Sequence, residues 1–417
     1  MRSIKEFLKD LLIMALVLAI LILSLLALPS KTITQSPLLA TILRPFSQWF
    51  GISRAELAKV QTSSRGTAAA QPIAISVNNT AGRTSYLHDF ALLDAQYDAL
   101  GGFLAKALSS AQNEQKSDRA ALYGALSSPS AAFFYHGNIP VPVLAAWLGC
   151  ETKISLSANL FVLCENGSTL DLYLMADEIS VYQTDVPSSA LDEAVGAAVP
   201  DGSRFCYETD QKLDGLCLLC DGMPPIFACK AQNPCDSRFA GTLAEILGFN
   251  PYGESSYTDS AGNVNFSEAN CLLKIGSDGT VRLENSDPSR FLTGAGDDAS
   301  QVEAARALLS SIFSAAESDA RLYLSSYEKT PQGAVCCFDY VLGGTPVLCR
   351  SHAATVTLDG KKVVSVNLWL RKYLLQSELL PVLPPQQATI IAPDGAREQV
   401  RYADNGAAEL YAGWTEA

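Results

Sequence analysis

Residues 334–373 read AVCCFDYVLGGTPVLCRSHAATVTLDGKKVVSVNLWLRKY, and the punctuation of this stretch decides the fold. Runs rich in β-branched and aromatic residues are interrupted at Gly343–Gly344 and at Asp359–Gly360. Gly-Gly and Asp-Gly pairs supply the positive φ angles that tight hairpin turns need. The stretch therefore predicts antiparallel strands joined by hairpins. A further strand-like run, "ARLYLSSYEKT" (320–330), precedes it. Before that comes "DASQVEAARALLSSIFSAAES" (298–318), in which Val302, Ala305, Leu309, Ile312, Phe313 and Ala316 recur at helical spacing. Asp298 stands where an N-cap is expected. A short helix is expected at "LPPQQATIIA", and the tail 394–417 reads as polar. Residues 291–393 thus form one α+β region: a helix lying on hairpin-linked strands.

The region before it, 200–290, has the same grammar. "RFAGTLAEILGF" reads as a helix, and Asp278–Gly279 sits between alternating runs, Leu273 and Ile275 on one side, Val281 and Leu283 on the other. It also holds "GLCLLCDGMPPIFACKAQNPC" (215–235), with Cys217, Cys220, Cys229 and Cys235. The expected form is a hairpin of "GLCLLCD" and "IFACKAQ" around "GMPP", with cysteine as a small packing residue. A disulfide such as Cys220–Cys229 across that hairpin and a zinc knuckle remain as alternatives. On a strand Cys217 and Cys220 face opposite sides, which opposes chelation of one ion.

A third region, 78–199, contains helices at 89–111 and 118–128. A strand, a proline turn and a helix follow over 131–149. Two strands are expected around "ENGS" (165–168), and a helix near 188–198 closes the region. No strict alternation of strand and helix appears, so a doubly wound nucleotide-binding fold is not expected.

The N-terminus sets the location. "LLIMALVLAILILSLLAL" (11–28) is uncharged and apolar except for Ser24. As a helix it would span about 27 Å, close to the roughly 30 Å of a hydrocarbon core. Arg2, Lys5 and Lys9 precede it, which keeps residues 1–10 in the cytoplasm and sends the rest outside. The run exceeds the h-region of a cleaved signal peptide, so an uncleaved single-pass anchor is expected. Residues 29–77 read as a stalk. Ala15 and Ala19 form a small-xxx-small pair through which another transmembrane helix could approach. The formal net charge of −13 argues against a nucleic-acid partner.

Signals for chemistry are few. Ser85, His88 and Asp89 lie close in sequence, but a nucleophilic triad needs side chains that converge in space. No metal or cofactor motif is expected to be filled. The eleven cysteines could oxidise outside the cytoplasm, yet a chain with ample apolar residues can bury them.

Two phrases carry a likeness. "LGFNPYGESSYTDSAGNVNFSEANCLLKIGSDGTVRLEN" (247–285) and "FDYVLGGTPVLCRSHAATVTLDGKKVVSVNLWLRKY" (338–373), together with the N-terminal anchor, resemble the YycH/YycI (WalH/WalI) family of Gram-positive bacteria, YycH more closely. The resemblance implies a non-enzymatic membrane protein without cofactor. It implies as partners a sensor histidine kinase of the WalK type, which governs cell-wall homeostasis, and a YycI-like protein. Ala15 and Ala19 would then be the transmembrane contact. The rival expectation is a membrane-anchored hydrolase of the cell envelope, built on Ser85, His88 and Asp89 or on a carboxylate pair.

Overall fold

The turns of 334–373 form as their glycines require. The computed structural model describes residues 69–416, apart from 197, 254 and 392–397. Strands β1 (Ala74–Asn79), β2 (Gly82–Tyr86), β3 (Gln112–Ser117), β4 (Ser130–Pro140), β5 (Ser157–Asn166), β6 (Thr169–Met175) and β7 (Ile179–Pro187) make a seven-stranded sheet in the order β2-β1-β4-β5-β6-β7-β3. Each neighbouring pair is antiparallel. Helices α1 (Phe90–Ser110), α2 (Arg119–Ser127), α3 (Val141–Trp147) and α4 (Ser188–Val195) connect or follow these strands.

The sheet is covered on both faces, and β5 shows why its sequence has no alternation. Phe161 and Leu163 pack with Leu100 and Leu104 of α1, while Leu160 and Val162 pack with Leu122 and Leu126 of α2. A strand buried on both sides reads as a continuous apolar run. Two strands are expected over 153–184, and three are found. Ala176–Glu178 makes a tight turn, with Ala176 N–H donating to Glu178 O, and β7 returns beside β6. Strand β3, "QNEQKS", carries no apolar pattern because it is an exposed edge, and edges favour charge.

The second sheet takes strands from both later regions. Its members are β11 (Ser256–Thr258), β12 (Val264–Glu268), β13 (Cys271–Ile275), β14 (Thr280–Asn285), β15 (Ala320–Thr330), β16 (Gly333–Leu342), β17 (Thr345–Leu348), β18 (Ala354–Asp359), β19 (Lys362–Trp369), β21 (Glu398–Ala403) and β22 (Tyr411–Glu416). They run β11-β12-β13-β14-β19-β18-β16-β17-β21-β22, with β15 also on β16. The boundary read at 290/291 falls inside this sheet, because β14 pairs with β19. The residues read as stalk are structured at their inner end, where β1 begins at Ala74, and those read as a polar tail form the β21–β22 hairpin out to Glu416. Helices α5 (Ser237–Ile246) and α6 (Asp298–Ser314) bury Leu243, Val302, Leu309 and Ile312 in the main core. The α6 cap is Asp297, one residue before the expected one, and its carboxylate accepts from Ser300 N–H. Helix α7 (Pro385–Ile391) precedes β21.

The cysteine stretch does not form the expected hairpin. β9 (Leu218–Leu219) pairs with β8 (Arg204–Phe205), and β10 (Phe227–Gln232) pairs with β20 (Lys372–Leu379). Pro224 and Pro225 have no N–H to offer a ladder, so the two halves part and find separate partners. Cys229 and Ala231 are buried by the β20 pairing.

Candidate functional site

The two sheets meet where β4 crosses β15, and the meeting point is set by backbone irregularities. The β4–β5 register breaks between Phe134 and Ile139, and the β15–β16 register breaks between Leu324 and Ser326. Such breaks bend a strand and re-aim its side chains. Gly137 in the first break lies so close to Ser325 in the second that a Cβ would overlap the Ser325 carbonyl.

That approach delivers His136 to the second sheet. Its Nε2 lies 3.2 Å from Oδ2 of Asp339 on β16. His352, in the loop before β18, places Nδ1 3.1 Å from the same oxygen and 3.2 Å from Oδ1. Ala353 N–H donates to Oδ1 at 3.0 Å. Burial alone would raise the Asp339 carboxyl. The hydrogen bond and electrostatic pull of His136, with hydrogen bonds from Ser325 and the Ala353 N–H, outweigh it and hold the group well below the usual carboxylate range. Nδ1 of His136 is buried and has no hydrogen-bond partner among the described residues.

The order of groups limits the chemistry. In a nucleophilic triad the imidazole stands between hydroxyl and carboxylate and takes the hydroxyl proton. Here the carboxylate is central, and both imidazoles and Ser325 bond to it. The cluster can fasten one sheet to the other through the Asp339 carboxylate. Further polar ties cross the same junction. Arg321 on β15 makes two bonds to Asp94 on α1, at 2.8 and 2.7 Å, and its guanidinium lies 3.9 Å from the Phe90 ring centre. Trp147 Nε1 donates to Glu303 on α6 at 2.9 Å.

The residues read as a hydrolase candidate are not brought together. Ser85 Oγ is 2.7 Å from Ser203 Oγ, His88 Nδ1 is 2.7 Å from Thr345 Oγ1, and Asp89 caps α1 by accepting from Ala91 and Leu92 N–H. Burial lowers the His88 imidazole to about 4, so it is neutral at pH 7. Among the described residues the most enclosed ion pair joins the segment after β19 to the loop after β21. Arg371 bonds Asp404 through Nε at 3.0 Å, Tyr373 O–H donates to the same carboxylate at 2.9 Å, and Asp404 is wholly buried.

Among the described residues no disulfide joins two cysteines, and no three of His, Cys, Asp and Glu are placed to hold a metal ion. Cys220 follows β9 and Cys229 lies in β10, and the pair considered for a disulfide is not bonded. Ala15, Ala19 and the apolar run 11–28 lie outside the described residues. Among the described residues no helix is long and apolar enough to cross a membrane.

Sequence reasoning passed over His136, Asp339 and His352 because each stands alone in the chain. The available signal was "FYHGN", a Gly-Asn interruption inside a strand, which marks a bulge or a close backbone approach.

Fold and junction together define an α+β protein of two large sheets, antiparallel except where β17 pairs with β21, fastened through buried polar contacts. The chain matches no family model, no curated protein and no solved structure.

Proposed function

We propose that the chain is a membrane-anchored, extracytoplasmic regulator of a two-component sensor histidine kinase, of the YycH/YycI kind, without chemistry of its own. It acts through transmembrane and ectodomain contacts on a kinase of the WalK type that controls cell-wall homeostasis. One observation carries the reading. The two phrases that resemble the family, 247–285 and 338–373, are far apart in sequence yet lie side by side in one sheet. β14 and β19 pair from Thr280–Trp369 to Glu284–Ser365. The two phrases thus contribute neighbouring strands to one sheet.

Ala15 and Ala19 are the residues through which the anchor would meet the kinase helix. Co-purification of the full-length chain with the kinase from native membranes tests this. Ala19→Leu puts a bulky side chain on the small-residue face and is expected to lower kinase recovery several-fold at unchanged expression. Equal recovery of wild type and variant would remove that face from the mechanism.

A further inference from the structure

We infer that Cys206 and Cys217 are a latent disulfide pair that closes the segment 203–219 on itself under oxidising conditions. This inference does not rest on the kinase reading. The segment is a strap between the first sheet and the C-terminal hairpin. On one side Tyr207 stacks on Tyr123 of α2 at 4.3 Å, and Phe205 lies under the Arg83 guanidinium, also at 4.3 Å. On the other side Gln211 accepts a hydrogen bond from Thr389 of α7, and Cys217 Sγ lies 3.4 Å from the Glu398 carbonyl of β21.

Within the strap, Arg204 faces Leu219 and Phe205 faces Leu218. Where the ladder ends, Cys206 N–H still donates to Cys217 O at 2.9 Å, while Cys217 N–H turns to Asp214 O. Opposed residues of an antiparallel pair share a face. The packing agrees: Phe205 joins Leu122 and Leu160 on one side, whereas Cys206, Cys217 and Leu219 form a separate buried cluster on the other. One backbone bond across the end of the ladder keeps the two Cα atoms near the spacing of opposed antiparallel residues, about 4.5–5.5 Å. A disulfide accepts roughly 4.4–6.8 Å. Cys206 Sγ lies 3.5 Å from the Gln211 carbonyl and Cys217 Sγ 3.4 Å from the Glu398 carbonyl, so each thiol must turn from its carbonyl to meet the other. Adjacent Cys336 and Cys337 on β16 offer no such approach, since neighbours on a strand point to opposite faces.

The step is thiol–disulfide exchange. The Cys206 thiolate attacks oxidised glutathione, breaks its S–S bond and releases one glutathione thiolate. The Cys217 thiolate then attacks the mixed disulfide, forms the Cys206–Cys217 bond and releases the second. Two electrons pass to the oxidant and two protons to solvent. Burial raises the Cys206 thiol, so the reaction is slow at neutral pH and faster in mild alkali.

Purified full-length chain is incubated under native conditions with oxidised glutathione, quenched in acid, alkylated, digested and mapped by mass spectrometry without reduction. Expected is a peptide containing Cys206 linked to Cys217, with the link placed by fragmentation, abolished by dithiothreitol and absent from Cys217→Ser. The unfolding midpoint of the wild-type chain should rise on oxidation and fall back on reduction, with no rise in Cys206→Ser. Recovery of Cys206 as an alkylated thiol, as a glutathione adduct, or linked to another cysteine overturns the inference.

Discussion

His88 and Asp339 make the protein acid-labile in two separate windows. His88 is held near 4 by burial, whereas a free imidazole titrates near 6.5. Its folded value is depressed, so the unfolded chain binds the proton first. The stability it contributes is complete above about pH 6.5 and is lost as pH falls towards 4. Asp339 is also depressed, but from a carboxylate's ordinary value, so its contribution is lost only below about pH 4. Two variants separate the windows. His88→Asn suits the site, because His88 sits at φ 60 and asparagine tolerates that left-handed backbone. It should flatten the upper limb of stability against pH and leave the lower one. Asp339→Asn should cost on the order of 2 kcal/mol at neutral pH, the worth of a charged hydrogen-bond set, with the gap closing in acid. Denaturant titrations across pH measure both; an unchanged upper limb in His88→Asn would count against the assignment. At this scale the sequence was least legible. Nothing in "SYLHDF" tells a buried neutral histidine from a catalytic one, and nothing local says that His136 and Asp339, 203 residues apart, will meet.

Turns were legible and partners were not. Gly343 and Gly344 both have positive φ, 59 and 86, and join β16 to β17 as their pairing required. Gly360, at φ 58, does the same for β18 and β19. These turns are local, so local sequence specifies them. β10 was legible as a strand, but its partner β20 lies far along the chain, and no local rule names it. The irregularity that matters most is Gly137. A Cβ there would overlap a backbone carbonyl, which cannot swing aside as a side chain can. Gly137→Ala should therefore destabilise the protein by about 3 kcal/mol, the upper end of overpacking costs. The comparison is Gly124→Ala on α2, where a Cβ meets nothing and helix propensity should add roughly 0.5–1 kcal/mol. Guanidinium unfolding of the two variants should move in opposite directions. Similar midpoints would mean that β4 and β15 can separate without loss, and that the junction is not close-packed.

The whole molecule depends on one long-range pairing. Composition divides residues 200–290 from 291–393, yet β14 finds its neighbour in β19. Leu273, Ile275, Val281 and Leu283 are buried, and they share one core with Val366 and Leu368 of β19 and with α6. Exposing a buried aliphatic side chain costs about 1.5–3 kcal/mol. For these four the loss is about 6–12 kcal/mol, comparable to the roughly 5–15 kcal/mol that holds a domain folded. A chain that stops at Arg290 keeps every strand of the seven-stranded sheet and the β13–β14 pair but deprives β14 of its β19 neighbour. Its amides in β12, β13 and β14 should exchange with deuterium as fast as in an unfolded chain, while β5 and β6 stay protected at least in part. Protection in β12–β14 equal to that of the full chain would show that the 200–290 region holds its own core. The expected result instead makes the eleven-stranded sheet one cooperative body. A contact anywhere on it, including the surface where the two family-like phrases lie together, would then be felt across the whole sheet.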